Sequence, residues 1–381
     1  MRYGVLFFLT LGFFSLPAGA QEIQENWISA RALGMGNAYS AVVSDYNALF
    51  YNPAALDKIH GLHLSLLTPQ VGTDALTAYT TYQEISGGTL SSVINNFFGQ
   101  QVWIGFNDTL AYSMNDFALA GFDNFNLSFN LNNPPYPQLN MYAANDYGIA
   151  GGFATSLLPN NALRVGFTVK RITRYGGTIA LGPTSLANAS TLNTQVSNLI
   201  SDYGTGYGLD TGVLLTLPGP SQPTIALVWQ NIGQTAFTPV TGTVAPSAMD
   251  DDPVIGYSML FDTGALTVQP SLEFSHINLD QTYQLGLLMH VGVEMKFLGG
   301  LALRGGFNQG YWTAGVGIDL SYLRIDAASY GVELETFPGQ LQDRRYILQV
   351  TMDLNFDPNF DFLKSGSSSG SGAASPGYQR R

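Results

Sequence analysis

Strict alternation of apolar and polar residues towards the C-terminus constrains this chain most. In Leu287–Phe297, Met289, Val291, Val293, Met295 and Phe297 share one face, while His290, Gly292, Glu294 and Lys296 share the other. In 344–356, Tyr346, Leu348, Val350, Met352, Leu354 and Phe356 oppose Arg345, Gln349, Thr351, Asp353 and Asn355. A period of two with charge confined to one face is the pattern of a strand with one apolar side. A soluble sandwich shares that pattern. Two features favour a membrane barrel instead. The polar face carries many small residues, as a crowded lumen would, and Tyr346 and Phe356 close the two ends of the outward stripe like aromatic girdles.

Composition narrows the choice. Only 11% of residues are charged, against about a quarter in ordinary soluble domains. Yet nothing after the first 20 residues is apolar for long enough to span a bilayer as a helix. With 43 Gly, 20 Tyr and 23 Phe, the expected fold is all-β: an outer-membrane transmembrane β-barrel. Strands are predicted near 61–68, 104–114, 117–131, 145–158, 162–175, 204–217, 222–232, 253–262, 265–277, 287–297, 301–308, 311–319, 321–332 and 344–356, about fourteen in all. Tight turns such as Asn115-Asp116, Pro218-Gly219-Pro220 and Leu298-Gly299-Gly300 alternate with longer segments. Short turns on one side and long loops on the other are how such barrels meet periplasm and exterior.

The N-terminus reads as an export signal over 1–20, with Arg2, an apolar run from Val5 to Phe14, and small residues Ala18-Gly19-Ala20 at the cleavage point. The domain plan is therefore a signal peptide (1–20), an N-terminal segment (21–59), a barrel (60–356) and a Gly/Ser-rich flexible tail (357–381).

Within 21–59, small residues crowd the run Ala30-Arg31-Ala32-Leu33-Gly34-Met35-Gly36-Asn37-Ala38, with Asp45 and then Tyr51-Asn52-Pro53-Ala54-Ala55-Leu56 following. Small residues allow close backbone approach, and Asn52-Pro53 forces a turn. This pattern resembles the N-terminal hatch of the FadL-type outer-membrane transporters, and equally that of their PorV-type relatives. The resemblance implies a hatch inside the barrel, with Gly34, Gly36, Asn52, Pro53 and Ala54 gating or touching a ligand. Folding the hatch alone would serve for the same residues. The resemblance further implies passive uptake of hydrophobic small molecules such as long-chain fatty acids, with outer-membrane lipids and the ligand as partners. The PorV-type alternative is an adaptor for protein secretion or surface attachment that binds secreted or periplasmic proteins.

Two long loops show helical spacing: Leu90, Val93, Ile94, Phe97 and Phe98 in one, and Leu186, Leu192, Val196, Leu199 and Ile200 in the other. Either forms a greasy capture site or packs over the barrel mouth. Charges predicted to face inward include Arg164, Lys170, Glu273, Glu294, Lys296, Arg304, Arg324, Asp326, Arg345 and Asp353. A symmetric turn at 298–300 sets Glu294 opposite Arg304 as a cross-strand ion pair. Glu294, Arg304, Arg324, Asp326 and Arg345 then form a lumenal charge network that rigidifies the interior or lines a polar conduit. Arg31 and Asp45 can pair with each other or with the wall.

Catalysis is not expected. The chain has four histidines and no Gly-x-Ser-x-Gly elbow. His60 and His63 lack a carboxylate partner set for a metal, so neither metal nor cofactor is expected. The absence of cysteine excludes disulfides, and a net charge of -12 argues against nucleic acid.

Overall fold

The computed structural model describes residues 22–74, 99, 101–132, 136–240, 244–279 and 283–356. The predicted signal peptide, the tail after Phe356, and Leu90, Val93, Ile94, Phe97 and Phe98 lie outside the described residues.

Alternating sequence becomes an antiparallel sheet whose first part is β1 (Leu62–Leu67), β2 (Gln70–Thr73), β3 (Gln101–Met114), β4 (Phe117–Asn132), β5 (Gln138–Ser156), β6 (Leu163–Leu181), β7 (Tyr203–Thr216) and β8 (Thr224–Gln230). It continues with β9 (Thr238–Pro239), β10 (Asp252–Ser258), β11 (Phe261–Asp262), β12 (Leu266–Phe274), β13 (Met289–Phe297), β14 (Leu301–Asn308), β15 (Tyr311–Asp319), β16 (Leu323–Glu333) and β17 (Gln342–Phe356). β1 and β2 make one wall strand, β10 and β11 another, and β9 is a two-residue patch on β7, so the wall has fourteen strands. β17 pairs with both β1 and β2, which pair in turn with β3, and the sheet closes on itself. Closure excludes the soluble sandwich and leaves no free edge. Along β17, Tyr346, Leu348 and Met352 are 42%, 50% and 45% exposed, whereas Arg345, Ile347, Gln349 and Thr351 are buried. The apolar face therefore points outward, as in an outer-membrane barrel. No helix among the described residues is long and apolar enough to cross a membrane.

Several strands differ from expectation. The first wall strand does not stop at residue 68. It breaks at Pro69, which has no N–H to give the ladder, and resumes as β2. The register slips by one residue between Ser65 and Leu67, and the Asp108 carboxylate accepts the stranded Thr68 N–H at 2.9 Å. β5 and β6 extend to Gln138 and Leu181, well past 145 and 175. Gly176 at φ +89° and Gly177 read as a loop, yet they stay paired with Ala144 and Ala143. Leu287 and Leu288 are not strand. They end a short helix whose buried side chains pack with Ile23. Gln309-Gly310 is a tight turn on the side of the long loops.

The helical segment at 185–203 splits in two, at Pro183–Leu186 and Ala189–Ser201, where Asn188 accepts the Ser190 and Thr191 N–H groups as an N-cap. Leu186, Leu192 and Val196 pack with Val102, Phe129, Leu131, Leu139, Ile179 and Leu181, and Ile200 is left 54% exposed. Ser128, on the opposite face of β4 from Phe129 and Leu131, bonds Glu22 of the N-terminal segment. The helices thus cover the outer face of the extended strands, and do not lie over the mouth.

Candidate functional site

The N-terminal segment packs against the inner face of the wall. α1 (Ala30–Gly34) and α2 (Ala48–Tyr51) are single turns, and a 3₁₀ turn spans Pro53–Lys58. Asn52 organises the second turn. Its Oδ1 accepts the Ala54 N–H at 3.1 Å, and its Nδ2 donates to Ser40 O at 3.0 Å. Pro53 then opens the 3₁₀ turn with φ already fixed.

Close approach is possible because the wall offers glycine at several of the points where this backbone lies. A Cβ on Gly166 would sit 2.5 Å from Pro53 C, and one on Gly212 would collide with Asn52 Oδ1. On Gly152 it would press on Leu49 and Leu56; on Gly292 and Gly306, on the Met35 backbone. Gly315 meets Gly34 Cα at 2.9 Å from such a Cβ, and Gly36, at φ +65°, has no room for a side chain beside Val291 O and Phe307 O. These contacts involve β5, β6, β7, β13, β14 and β15.

Charge is added by β13 and β14 again, and by β16. Arg31 meets Glu294 through two bonds of 2.8 and 2.9 Å. Glu294 also accepts from Arg304 at 2.7 Å, Arg304 reaches Asp326 at 2.7 Å, and Arg324 reaches Asp326 at 3.0 Å. Arg324 returns to Asp45 at 3.5 Å, and Asp45 to Arg31 at 3.7 Å. Six side chains thus alternate in sign around a closed ring, and Lys296 adds a further cation on Glu294 at 3.1 Å. Burial works against the charge of Asp45, but Arg324 and Arg31 outweigh it and hold the carboxyl below its usual value. Burial pushes the neighbouring Tyr39 phenol up, and Tyr39 lies under the Arg31 guanidinium at 5.2 Å.

Polar contacts pin the bend between the two turns. Glu273 accepts the Tyr39 and Ser40 N–H groups at 3.0 and 2.7 Å, and Thr313 donates to Gly34 O at 3.1 Å. His290 Nδ1 lies 3.0 Å from Gly36 O, while Ser275 Oγ sits between His290 and His276 at 2.9 and 3.0 Å. This knot is buried and directed at the segment's backbone. No group of three metal-ligating side chains is found among the described residues.

Arg345 does not join the ring. It pairs with Glu22 at 2.6 Å and Asp343 at 2.6 Å, and covers Trp103 at 4.6 Å. The other inward charges are also engaged: Arg164 with Asp57 at 2.6 Å, Lys170 with Asp210 at 2.8 Å, and Asp353 with Ser65. Above the second turn, Trp27 stacks on Phe50 at 3.8 Å and meets Phe122 edge-on. With Ile172, Met249, Asn26, Asn124, Asp146, Lys170 and Gln230 they wall a small, partly open cleft. Sequence reasoning does not single out Glu22, Trp27, Phe50 or Phe122, because their partners lie far from them in the chain.

No protein-family model matches the chain, and no curated sequence matches it. Among solved structures it is similar to two variants of the monoaromatic hydrocarbon channel TodX of Pseudomonas putida. The ΔS2S3 variant is 12% identical and covers 86% of this chain and 99% of its own, with a TM-score of 0.51. The ΔS2 variant gives the same identity and coverage at 0.50. The chain shares the barrel fold of these channel structures; at this identity the likeness is one of fold alone.

Proposed function

We propose that this chain is an outer-membrane channel for passive uptake of hydrophobic small molecules, in which residues 22–59 act as the hatch. The observation that carries the reading is the segment itself. It meets the wall on most strands, and its aromatic pair Trp27–Phe50 forms the floor of a cleft with both apolar and polar walls. An apolar solute reaching that cleft would shed water onto Trp27, Phe50, Phe122, Ile172 and Met249. Gly34, Gly36, Asn52, Pro53 and Ala54 would then set how the hatch yields. Candidate solutes include compact hydrocarbons, such as the TodX name describes, and fatty-acid-like chains.

A specific observation favours a second reading. The ring of ion pairs fills the interior beside α1 with charge, which suits an adaptor that binds secreted proteins better than a greasy conduit. Native mass spectrometry of protein drawn gently from its own membrane separates the two. A bound hydrophobic small molecule, lost on Trp27→Ala, supports uptake. An empty barrel carrying a secreted protein at fixed stoichiometry would move the assignment to the adaptor.

A further inference from the structure

The outward face of the wall carries one cation that the rest of the molecule leaves alone. Arg171 on β6 is exposed, whereas Lys170 and Ile172 on either side of it are buried. It therefore points away from the lumen. Every other described arginine is bonded to a carboxylate or a carbonyl. Arg344, which shares the outward face of β17 with Tyr346, donates to Trp312 O at 2.8 Å and lies 3.9 Å over the Trp312 ring. Arg171 makes no hydrogen bond or ion pair among the described residues.

Its depth is set by the strand. Arg171 stands eight residues along β6 from Leu163, where the strand leaves a short turn. At about 3.3 Å per residue and a tilt of about 40°, that is about 20 Å above the turn, near the upper edge of an apolar band about 25 Å tall. The neighbours agree. Below it the same face carries Phe153, Phe167 and Val169, and Ile149 lies directly opposite, all exposed. Tyr207 is its register partner on β7, and above it Tyr147, Tyr175 and Tyr203 stack in a ladder across β5, β6 and β7, at 6.1 and 4.7 Å. Apolar side chains below and tyrosines above mark the boundary between acyl chains and headgroups. Beyond the ladder the wall is covered by the helix Ala189–Ser201, tied at its end by the Gly176 N–H to Asp202 O at 2.9 Å. That helix has no charged side chain, and Ser190, Asn193, Thr194, Ser197 and Asn198 are exposed on it.

We propose that this outer face of β5, β6 and β7 binds a phosphorylated glycolipid of the surrounding leaflet, with Arg171 on the phosphate, the tyrosine ladder against the sugar and the apolar residues below along the acyl chains. This rests on the barrel standing in an outer membrane, and is independent of what passes through its lumen.

The chemistry selects the occupant. An unpaired guanidinium at headgroup depth gains most from an anion, and phosphate matches its fork of donors. An acidic protein fits poorly. Asp123 on β4 faces the same way as its register partner Tyr147, and Asp108 on β3 pairs with Asp123, so an extended polyanion would run into these carboxylates. A single phosphate would not. Asp202, at the foot of the helix, already accepts the Val244 N–H at 3.1 Å. The neutral helix offers hydroxyl and amide partners to sugar, and nothing to a second phosphate.

The test is native mass spectrometry of the purified barrel in neutral detergent, after addition of a diphosphorylated, multiply acylated glucosamine disaccharide. One copy is expected to survive collisional activation that strips the same disaccharide with its phosphates removed. Arg171→Gln, shown to be folded by its heat-modifiable gel mobility, is expected to lower the retained fraction several-fold. Arg171→Lys should keep part of it, and Arg344→Gln should leave it unchanged. Inorganic phosphate is expected not to displace the lipid; displacement would make this a site for free phosphate and overturn the proposal. Equal retention by Arg171→Gln, or of the dephosphorylated form, would overturn it too. A hydrophobic solute held in the lumen would be lost on Trp27→Ala and indifferent to Arg171→Gln, so this proposal and the uptake reading fail separately.

Discussion

Two neighbourhoods of the N-terminal segment, around Pro53 and around the Arg31 guanidinium, meet the same wall by different means. Around Pro53 the wall recedes to glycine and alanine, and the fit is steric and apolar. Around Arg31 the wall advances with Glu294, Arg304, Asp326 and Arg324, and the fit is electrostatic. The difference matters because the two respond to different things. Packing resists everything except a change of shape. A buried ion ring is strong only while complete, since each member left alone is an uncompensated charge away from water.

Substitutions can break this comparison in order of size. Gly212→Leu places a branched side chain where Asn52 and Pro53 lie, so this turn cannot seat. The barrel is expected to lose its heat-modifiable band on gels, whereas Gly121→Ala, with nothing nearer than 4.0 Å, is expected to behave as the native chain. Survival of the Gly212→Leu band would show that the steric half is dispensable. Next, Glu294→Gln removes the carboxylate shared by Arg31, Arg304 and Lys296, and should lower unfolding stability by about 3–5 kcal/mol in urea titrations. Replacing Arg31 and Glu294 together by Met should recover much of that loss; if it does not, the pair has a role beyond cancelling charge. Arg324→Gln acts at the long, less buried link, and about 1 kcal/mol is expected.

The smallest effect comes from pH. Asp45 is held below its usual carboxyl value by Arg324 and Arg31, against the opposing effect of burial. A depressed carboxyl stabilises the folded state above its unfolded value, about 3.9, and that share is lost as pH falls through the folded value. Unfolding stability is therefore expected to stay flat through neutral pH and to fall only below about pH 4. Asp45→Asn should remove this share of the acid loss, while the remaining ring carboxylates Glu294 and Asp326 keep their partners. An acid loss unchanged in Asp45→Asn would shift the sensitivity to another member of the ring.

How much of this was legible in the sequence follows from the range of the contacts. Alternation is local, so the strands from Met289 onwards could be read directly. The pairing of Glu294 with Arg304 was equally accessible, since a symmetric turn at Leu298-Gly299-Gly300 fixes the register of two adjacent strands. Arg31 and Asp45 could be marked as ion-pair candidates. Their wall partners could not be named, because Glu294 lies 263 residues from Arg31 and no local rule links them. Glycine misled in one place and was silent in another. Gly176-Gly177 looked like a loop but remained in β6, where pairing with β5 overrode local preference. Gly166, Gly212 and Gly292 carried no signal at all, because their meaning is the space they leave for a different part of the chain.

That space bears on how the molecule is built. Wall strands that present glycine at the contact points leave their own interior unfilled. The N-terminal residues supply that volume, so any side chain larger than glycine at these points of the wall competes with them for the same space.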